Sequence, residues 1–160
     1  MRRAASFITA VCGETRGKNM SEKLSFHFDV DGENFSSAGE ASVMMKKKLR
    51  QLGFSPEIMK RVAIAMYEGE INMVIHANGG SVDVTIDEEE IEIILADHGP
   101  GISDVALAMQ EGYSTANDNV RALGFGAGMG LPNMRKYTDY MQIDTKVGVG
   151  TTVTMKVRVK

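Results

Sequence analysis

Apolar and polar residues alternate along several short stretches of the chain, which is the pattern of β-strands with one buried face. The first such stretch, Leu-Ser-Phe-His-Phe-Asp-Val, begins at Leu24. Two later stretches lie close together in the chain, and a hairpin across Asp-Glu-Glu at 87–89 is predicted to join them. The predicted strands span residues 24–30, 81–87, 90–96, 141–146 and 151–159.

Other segments carry apolar residues at helical spacing. Helices are predicted over residues 35–52, 56–77, 103–111 and 131–137. Gly53 is a stop signal for the first of them, and Ser55 followed by Pro56 is a start signal for the second. The resulting order, β-α-α-β-β-α-α-β-β, indicates an α+β two-layer sandwich. We expect one mixed, largely antiparallel sheet with the helices on one face.

Composition narrows the classes of function. The chain has 160 residues, 43% of them hydrophobic, which suits a single folded domain that we place at 20–160. Lys plus Arg number 18 against 21 Asp plus Glu, so the balance disfavours a nucleic-acid or membrane-surface role. The lone Cys12 excludes an intrachain disulfide and a multi-cysteine zinc site. Residues 1–19 are interpreted as a flexible leader or a start-site extension, and the protein as cytoplasmic.

The long second helix carries a polar stripe whose side chains could take part in a reaction. Glu68 and Asn72 are four residues apart, and His76 follows at the same interval, so all three share one broad face. A solvated helix face would look the same. A carboxylate and an amide oxygen at this spacing can also serve as a general base and a Mg²⁺ ligand.

Three glycine motifs follow in the loops. Asp97 ends a strand and opens Asp-His-Gly-Pro-Gly, where the glycines allow close approach of a flat ligand, although an ordinary turn would use the same residues. Residues 124–132 alternate glycine with other residues and lead into a helix, which is typical of an anion site rather than a linker. Residues 148–152, Gly-Val-Gly-Thr-Thr, precede the last strand and fit a hairpin turn equally well.

The order and spacing of these four motifs resemble the N box and the three glycine boxes of the GHKL (Bergerat-fold) ATPases. That superfamily includes gyrase-type topoisomerases, sensor histidine kinases and anti-sigma serine kinases. The resemblance covers residues 24–159 and is greatest to the small anti-sigma factor and serine-kinase group of stress-response partner-switching modules. It is carried by residues 68–76, 97–102, 108–115, 128–132 and 147–153.

The resemblance implies a role for each matching residue. Asn72 would hold Mg²⁺, Glu68 would activate the attacking hydroxyl, and Asp97 would bind the adenine amine of ATP. Residues 112–127 would form an ATP lid, mobile without nucleotide because the segment is glycine-rich and lacks apolar anchors. Arg121 in this lid could reach the γ-phosphate. The remaining nucleotide-binding residues implied are Gly99, Gly101, Gly126, Gly128, Gly130, Leu131 and one or both of Thr151 and Thr152.

The function implied is an ATP-dependent serine protein kinase of the anti-sigma type. Its partner would be a small STAS-domain antagonist, with a sigma factor or another regulator switched in turn, and a homodimer is compatible with the pattern. The alternative is a non-catalytic ATP-binding module that sequesters a regulator. Glu68 favours catalysis, because a pure binder needs no base. Two positions depart from the group: Gly126 replaces an arginine found in some members, and Glu70 replaces a small or apolar residue.

Overall fold

A five-stranded antiparallel sheet forms one layer of the structure. The computed structural model describes residues 22–122 and 127–160, so the predicted leader at 1–19 lies outside the described residues. The strands are β1 (Leu24–Asp31), β2 (Gly79–Ile86), β3 (Glu90–Asp97), β4 (Tyr140–Lys146) and β5 (Gly150–Arg158). Their order is β1-β2-β3-β5-β4, and each neighbouring pair is antiparallel. The predicted α+β sandwich is confirmed, with antiparallel rather than mixed pairing in the part described.

The helices form the second layer. They are α1 (Glu40–Gln51), α2 (Pro56–Ala77), α3 (Val105–Ala108), α4 (Asp118–Ala122) and α5 (Gly130–Lys136). The Ser55 side chain accepts a hydrogen bond from Ile58 N, and α2 ends where Asn78 adopts a left-handed conformation, so both ends match the prediction. The first predicted helix is divided, because Gly39 with φ 94° separates a 3₁₀ turn from α1. The five-residue α4 was not predicted, since so short a segment shows no period.

The core lies between the sheet and the two long helices. Alternate residues of β2, β3 and β5 point toward α2 and are buried, as the two-residue period requires. Gly69 brings α2 close to β3, since a Cβ there would lie 2.2 Å from Leu95 Cδ2. Among the fully buried core side chains are Met45, Leu49, Val62, Met66, Val82, Val84, Ile91, Ile93, Met155 and Val157. None of the described helices is long and apolar enough to cross a bilayer.

A buried carboxylate joins α1 to α2. Gly39, the N-cap of α1, has no side chain to cap the helix. Glu70 of α2 takes over this role: its Oε1 accepts a hydrogen bond from Ala41 N and its Oε2 from Ser42 N, both at 2.9 Å. Glu70 is only 1% exposed. Burial raises the pKa of its carboxyl, and the two backbone donors partly oppose that rise.

Candidate functional site

A cavity of about 450 Å³ lies between α2, the loop after β3, α3 and the start of α5. Its volume suits a ligand of nucleotide size. It brings together most of the residues singled out in the sequence. Those on its wall are Glu68, Asn72, Asp97, Gly101, Gly128, Gly130, Leu131 and Thr151. Gly126 lies outside the described residues.

Asp97 is held rigidly at the floor of this cavity. Its Oδ1 accepts hydrogen bonds from Gly99 N at 2.9 Å and from Thr151 N at 3.2 Å. Its Oδ2 has no partner among the residues that the structure describes. Two backbone donors therefore fix the carboxylate and leave one oxygen for a ligand. A fixed acceptor of this kind suits an exocyclic amine.

Only one of the two glycines after Asp97 lines this cavity. Gly99 packs against the end of α2, where a Cβ would come within 2.6 Å of Ala77 Cβ. Gly101 lines the cavity with φ 75°, and a Cβ there would lie 2.5 Å from the Lys146 carbonyl oxygen. Both positions thus require glycine for close packing of the loop after β3.

The sheet separates the two candidate threonines. Thr151 is buried, lines the cavity, and its hydroxyl lies 2.9 Å from that of Thr145. The Thr145 hydroxyl in turn accepts a hydrogen bond from Ile102 N. Thr152 is the next residue of β5, so its side chain points to the opposite face of the sheet. Of the two, only Thr151 is placed to act in the cavity.

Glu68 and Asn72 both face α5 across the other wall. Asn133 Nδ2 donates a hydrogen bond to Glu68 Oε1 at 3.1 Å. Asn72 Nδ2 lies 3.9 Å from Met134 Sδ, a weak contact. Gly130 leaves room for Asn72, because a Cβ at Gly130 would lie 3.0 Å from Asn72 Oδ1. The stripe predicted on α2 is therefore part of the cavity wall rather than a solvated face.

The segment expected to act as a lid has more structure than its sequence suggested. Ala116 and Val120 are each 8% exposed, so the expectation of no apolar anchor was wrong. Gly112 N donates to the carbonyl of Gly128, which ties the start of the segment to the residue that follows its end. Arg121 Nη2 donates to the Ser114 carbonyl and is absent from the cavity wall, so in this conformation it does not face a phosphate site. Residues 123–126 lie outside the described part.

Several cavity residues were not singled out as site residues in the sequence. Ile102, Leu107 and Ala108 add apolar surface, and Tyr113 adds an aromatic ring. Three of them lie within the motif segments 97–102 and 108–115, and Leu107 lies in the predicted helix 103–111, but the resemblance assigned none of the four a role. His76 also lines the cavity. Desolvation lowers the pKa of its ring, and the negative charge of Asp97 partly offsets this decrease. His98 lies instead on a neighbouring, more open cavity.

Residues 36–157 match the family of histidine kinase-like ATPase domains. The chain belongs to that family. It is 28% identical over 108 residues to the serine/threonine-protein kinase RsbT of Bacillus subtilis (strain 168), covering 65% of this chain and 75% of that one.

Other relatives agree with this assignment. The chain is 28% identical over 143 residues to the anti-sigma F factor of Halalkalibacterium halodurans, covering 86% of this chain and 92% of that one. It is 31% identical over 110 residues to the anti-sigma F factor of Caldanaerobacter subterraneus, with 66% and 73% covered. The fold also resembles the crystal structure of the RsbU and RsbW domains of a Mycobacterium tuberculosis protein. That match has a TM-score of 0.58 at 15% identity and covers 84% of this chain and 32% of that chain.

Proposed function

We propose that this chain is an ATP-dependent serine protein kinase that phosphorylates a small STAS-type antagonist and acts as an anti-sigma-type regulator. The observation that carries the proposal is one cavity that holds both Glu68 with Asn72 and the fixed carboxylate of Asp97. Glu68 and Asn72 suit phosphoryl transfer, and the Asp97 carboxylate suits the adenine ring. A site for ATP needs both at opposite ends.

Asp97 would select the adenine ring. Its Oδ2 would accept a hydrogen bond from the exocyclic amine, while Thr151 would contribute through its hydroxyl or through water. Ile102 and Leu107 offer apolar surface to a planar base. Gly128 and Gly130 present backbone N–H groups without side chains, beside the phosphate end. The first N–H groups of α5, including that of Leu131, have no partner within the helix and suit phosphate oxygens.

The residues present also fit Mg²⁺ held jointly with a nucleotide. No group of three or more acidic, histidine or cysteine side chains that could hold a metal by themselves occurs within 22–122 and 127–160. Mg²⁺ often takes one or two protein oxygens and completes its shell with phosphates and water. Asn72 Oδ1, which has no hydrogen-bond partner in the described part, would be that protein ligand. When bound, the metal neutralises charge on the phosphates.

Glu68 would act as the general base. It would accept the proton of the substrate serine hydroxyl as that oxygen forms its bond to the γ-phosphorus. The bond between that phosphorus and the β–γ bridging oxygen breaks at the same time, and ADP leaves with the electron pair. Glu68 Oε1 is already hydrogen-bonded to Asn133, so Oε2 is the oxygen available for the proton.

The class of partner is inferred from the relatives. Two of the relatives described above are called anti-sigma F factors and one a serine/threonine-protein kinase, and the matches to the anti-sigma factors span most of both chains. On this basis, the chain would phosphorylate an antagonist protein. The phosphorylation would in turn release or capture a sigma factor or a similar regulator.

The test is transfer of label from γ-labelled ATP with Mg²⁺ to STAS proteins encoded beside this chain. We expect one serine of one such protein to be labelled by the wild type, and to be labelled about 10²–10⁴-fold more slowly by Glu68→Gln. Arg135→Ala, an exposed change on α5, is the matched control and should retain transfer. Tight ATP binding without labelling of any STAS protein would refute the kinase and favour a non-catalytic module that sequesters its regulator.

A further inference from the structure

We infer that Asn133 is a positioning residue for Glu68, and this rests on the proposed function. The Asn133 side-chain amide donates its hydrogen bond to Glu68 Oε1 at 3.1 Å, from a different helix. Both side chains are half-buried, and that of Glu68 lines the cavity. Asn133 itself is not part of the cavity wall, so its action on the reaction would pass through Glu68.

The contact belongs to a regular antiparallel packing of α5 on α2. At the cavity end, Gly130 lies against Asn72. One turn further along α5 and one turn back along α2, Asn133 meets Glu68. Because Gly130 and Asn133 are three residues apart, they share a face of α5.

The far end of the same helix pair is anchored by Arg61. Its Nε donates to the Tyr137 carbonyl at 3.1 Å, and its Nη2 lies 2.9 Å from Asp139 Oδ2. Met134, 1% exposed, fixes the rotation of α5 against the core. The Asn133 amide is therefore presented to Glu68 by a helix held at both ends rather than by a mobile loop.

An amide donor has a specific effect on a catalytic carboxylate. A glutamate side chain has three rotatable bonds, and a base must hold one orientation to meet the substrate proton. The Asn133 amide fixes Oε1 and cannot itself take up the proton at neutral pH, so Oε2 is directed to the hydroxyl. Loss of this contact should leave ATP in place and misplace the base.

The test is a double-mutant cycle on phosphoryl transfer to the STAS protein. We expect Asn133→Ala to lower kcat about 10- to 100-fold, the range for a misplaced catalytic group. The KM for the partner and the Kd for Mg²⁺–ATP should change by less than about twofold. Asn133→Asp keeps the shape of the side chain, removes the donor and adds a like charge, so it should lower kcat at least as far.

The cycle separates positioning from a structural role. If Asn133 acts through Glu68, adding Asn133→Ala to Glu68→Gln should lower the residual rate by less than about twofold. Equal losses in both backgrounds would overturn the inference, and so would a wild-type kcat in both Asn133 variants. Circular dichroism would verify that each variant folds, and Arg135→Ala controls for disturbance of α5. Absence of transfer by the wild type would refute the proposed function itself, a different result from an additive cycle.

Discussion

Glu70→Ala should destabilise the fold by about 2–4 kcal/mol, and the structure supplies the reason. The substitution removes the side chain that caps α1 within the described residues, since the N-cap residue Gly39 has no side chain. The N–H groups of Ala41 and Ser42 are then left without acceptors in a buried place. Each unsatisfied buried donor costs about 1–3 kcal/mol. Part of this loss in the free energy of unfolding is offset, because the desolvation of the buried carboxylate no longer opposes folding.

Glu70→Gln is the matched comparison. The amide keeps the size of the side chain and one acceptor oxygen, so one of the two N–H groups stays paired. We expect a loss of about 1–2 kcal/mol, between wild type and Glu70→Ala. Urea unfolding of all three proteins, followed by circular dichroism, would measure these differences. A change below about 0.5 kcal/mol in Glu70→Ala, with an unchanged m-value, would refute the capping role.

Comparison of the wild type with Glu70→Gln also reports the titration of Glu70. Burial raises the pKa of its carboxyl above the usual glutamate value, so the folded state holds this proton more tightly than the unfolded chain. The contribution of Glu70 to the free energy of unfolding therefore falls as the pH rises from the usual value through the raised one. Wild type should lose stability relative to Glu70→Gln over that window and show no further relative change above it. A relative gain with rising pH would show that the sign is wrong.

Four further outcomes test the site. Asp97→Ala should weaken ATP binding roughly 5- to 150-fold by calorimetry, the effect of one buried hydrogen bond, and unchanged affinity would contradict the adenine role. Glu68→Gln should keep ATP affinity and slow transfer about 10²–10⁴-fold in a labelling assay, whereas Asn72→Ala should also weaken Mg²⁺–ATP binding. Gly130→Ala should weaken Mg²⁺–ATP binding by crowding Asn72 while leaving the melting temperature nearly unchanged, and stronger binding would refute this. ATP should protect residues 112–122 from limited proteolysis, and cleavage indifferent to ATP would count against a lid.

The long periodic elements could be predicted from the sequence because local chemistry decides them. The bounds of α2 follow from Ser55, Pro56 and the residues that end the helix, and the structure agrees with them. Gly39 shows the limit of the method. A helix pattern runs across it, but its φ is 94°, and a Cβ there would lie 2.8 Å from the ring of Tyr67. Contacts between distant residues decide such breaks, and periodicity does not contain them.

Motif order selected some residues of the candidate site, whereas others become evident only from the three-dimensional packing. Glu68, Asn72 and Asp97 could be selected because their spacing matches a known set of boxes. Asn133 could not, since nothing in the local sequence shows that α5 lies antiparallel to α2. The choice between Thr151 and Thr152 likewise depends on which face of β5 points toward α2. The lid anchors Ala116 and Val120 were missed because small or isolated apolar residues carry little pattern.

The two glutamates of α2 show how burial assigns chemistry that sequence leaves open. Glu68 and Glu70 are two residues apart, which places them about 200° apart around the helix. Glu70 has both carboxylate oxygens occupied by backbone donors of α1 and is sealed from solvent, so it has no oxygen left to receive a substrate proton. Glu68 faces the cavity with one oxygen held by Asn133 and the other without a partner in the described part. A single helix thus uses one carboxylate to hold α1 in place and presents the other to the cavity. Of the two, only Glu68 has both the access and the free oxygen that the proposed proton transfer requires.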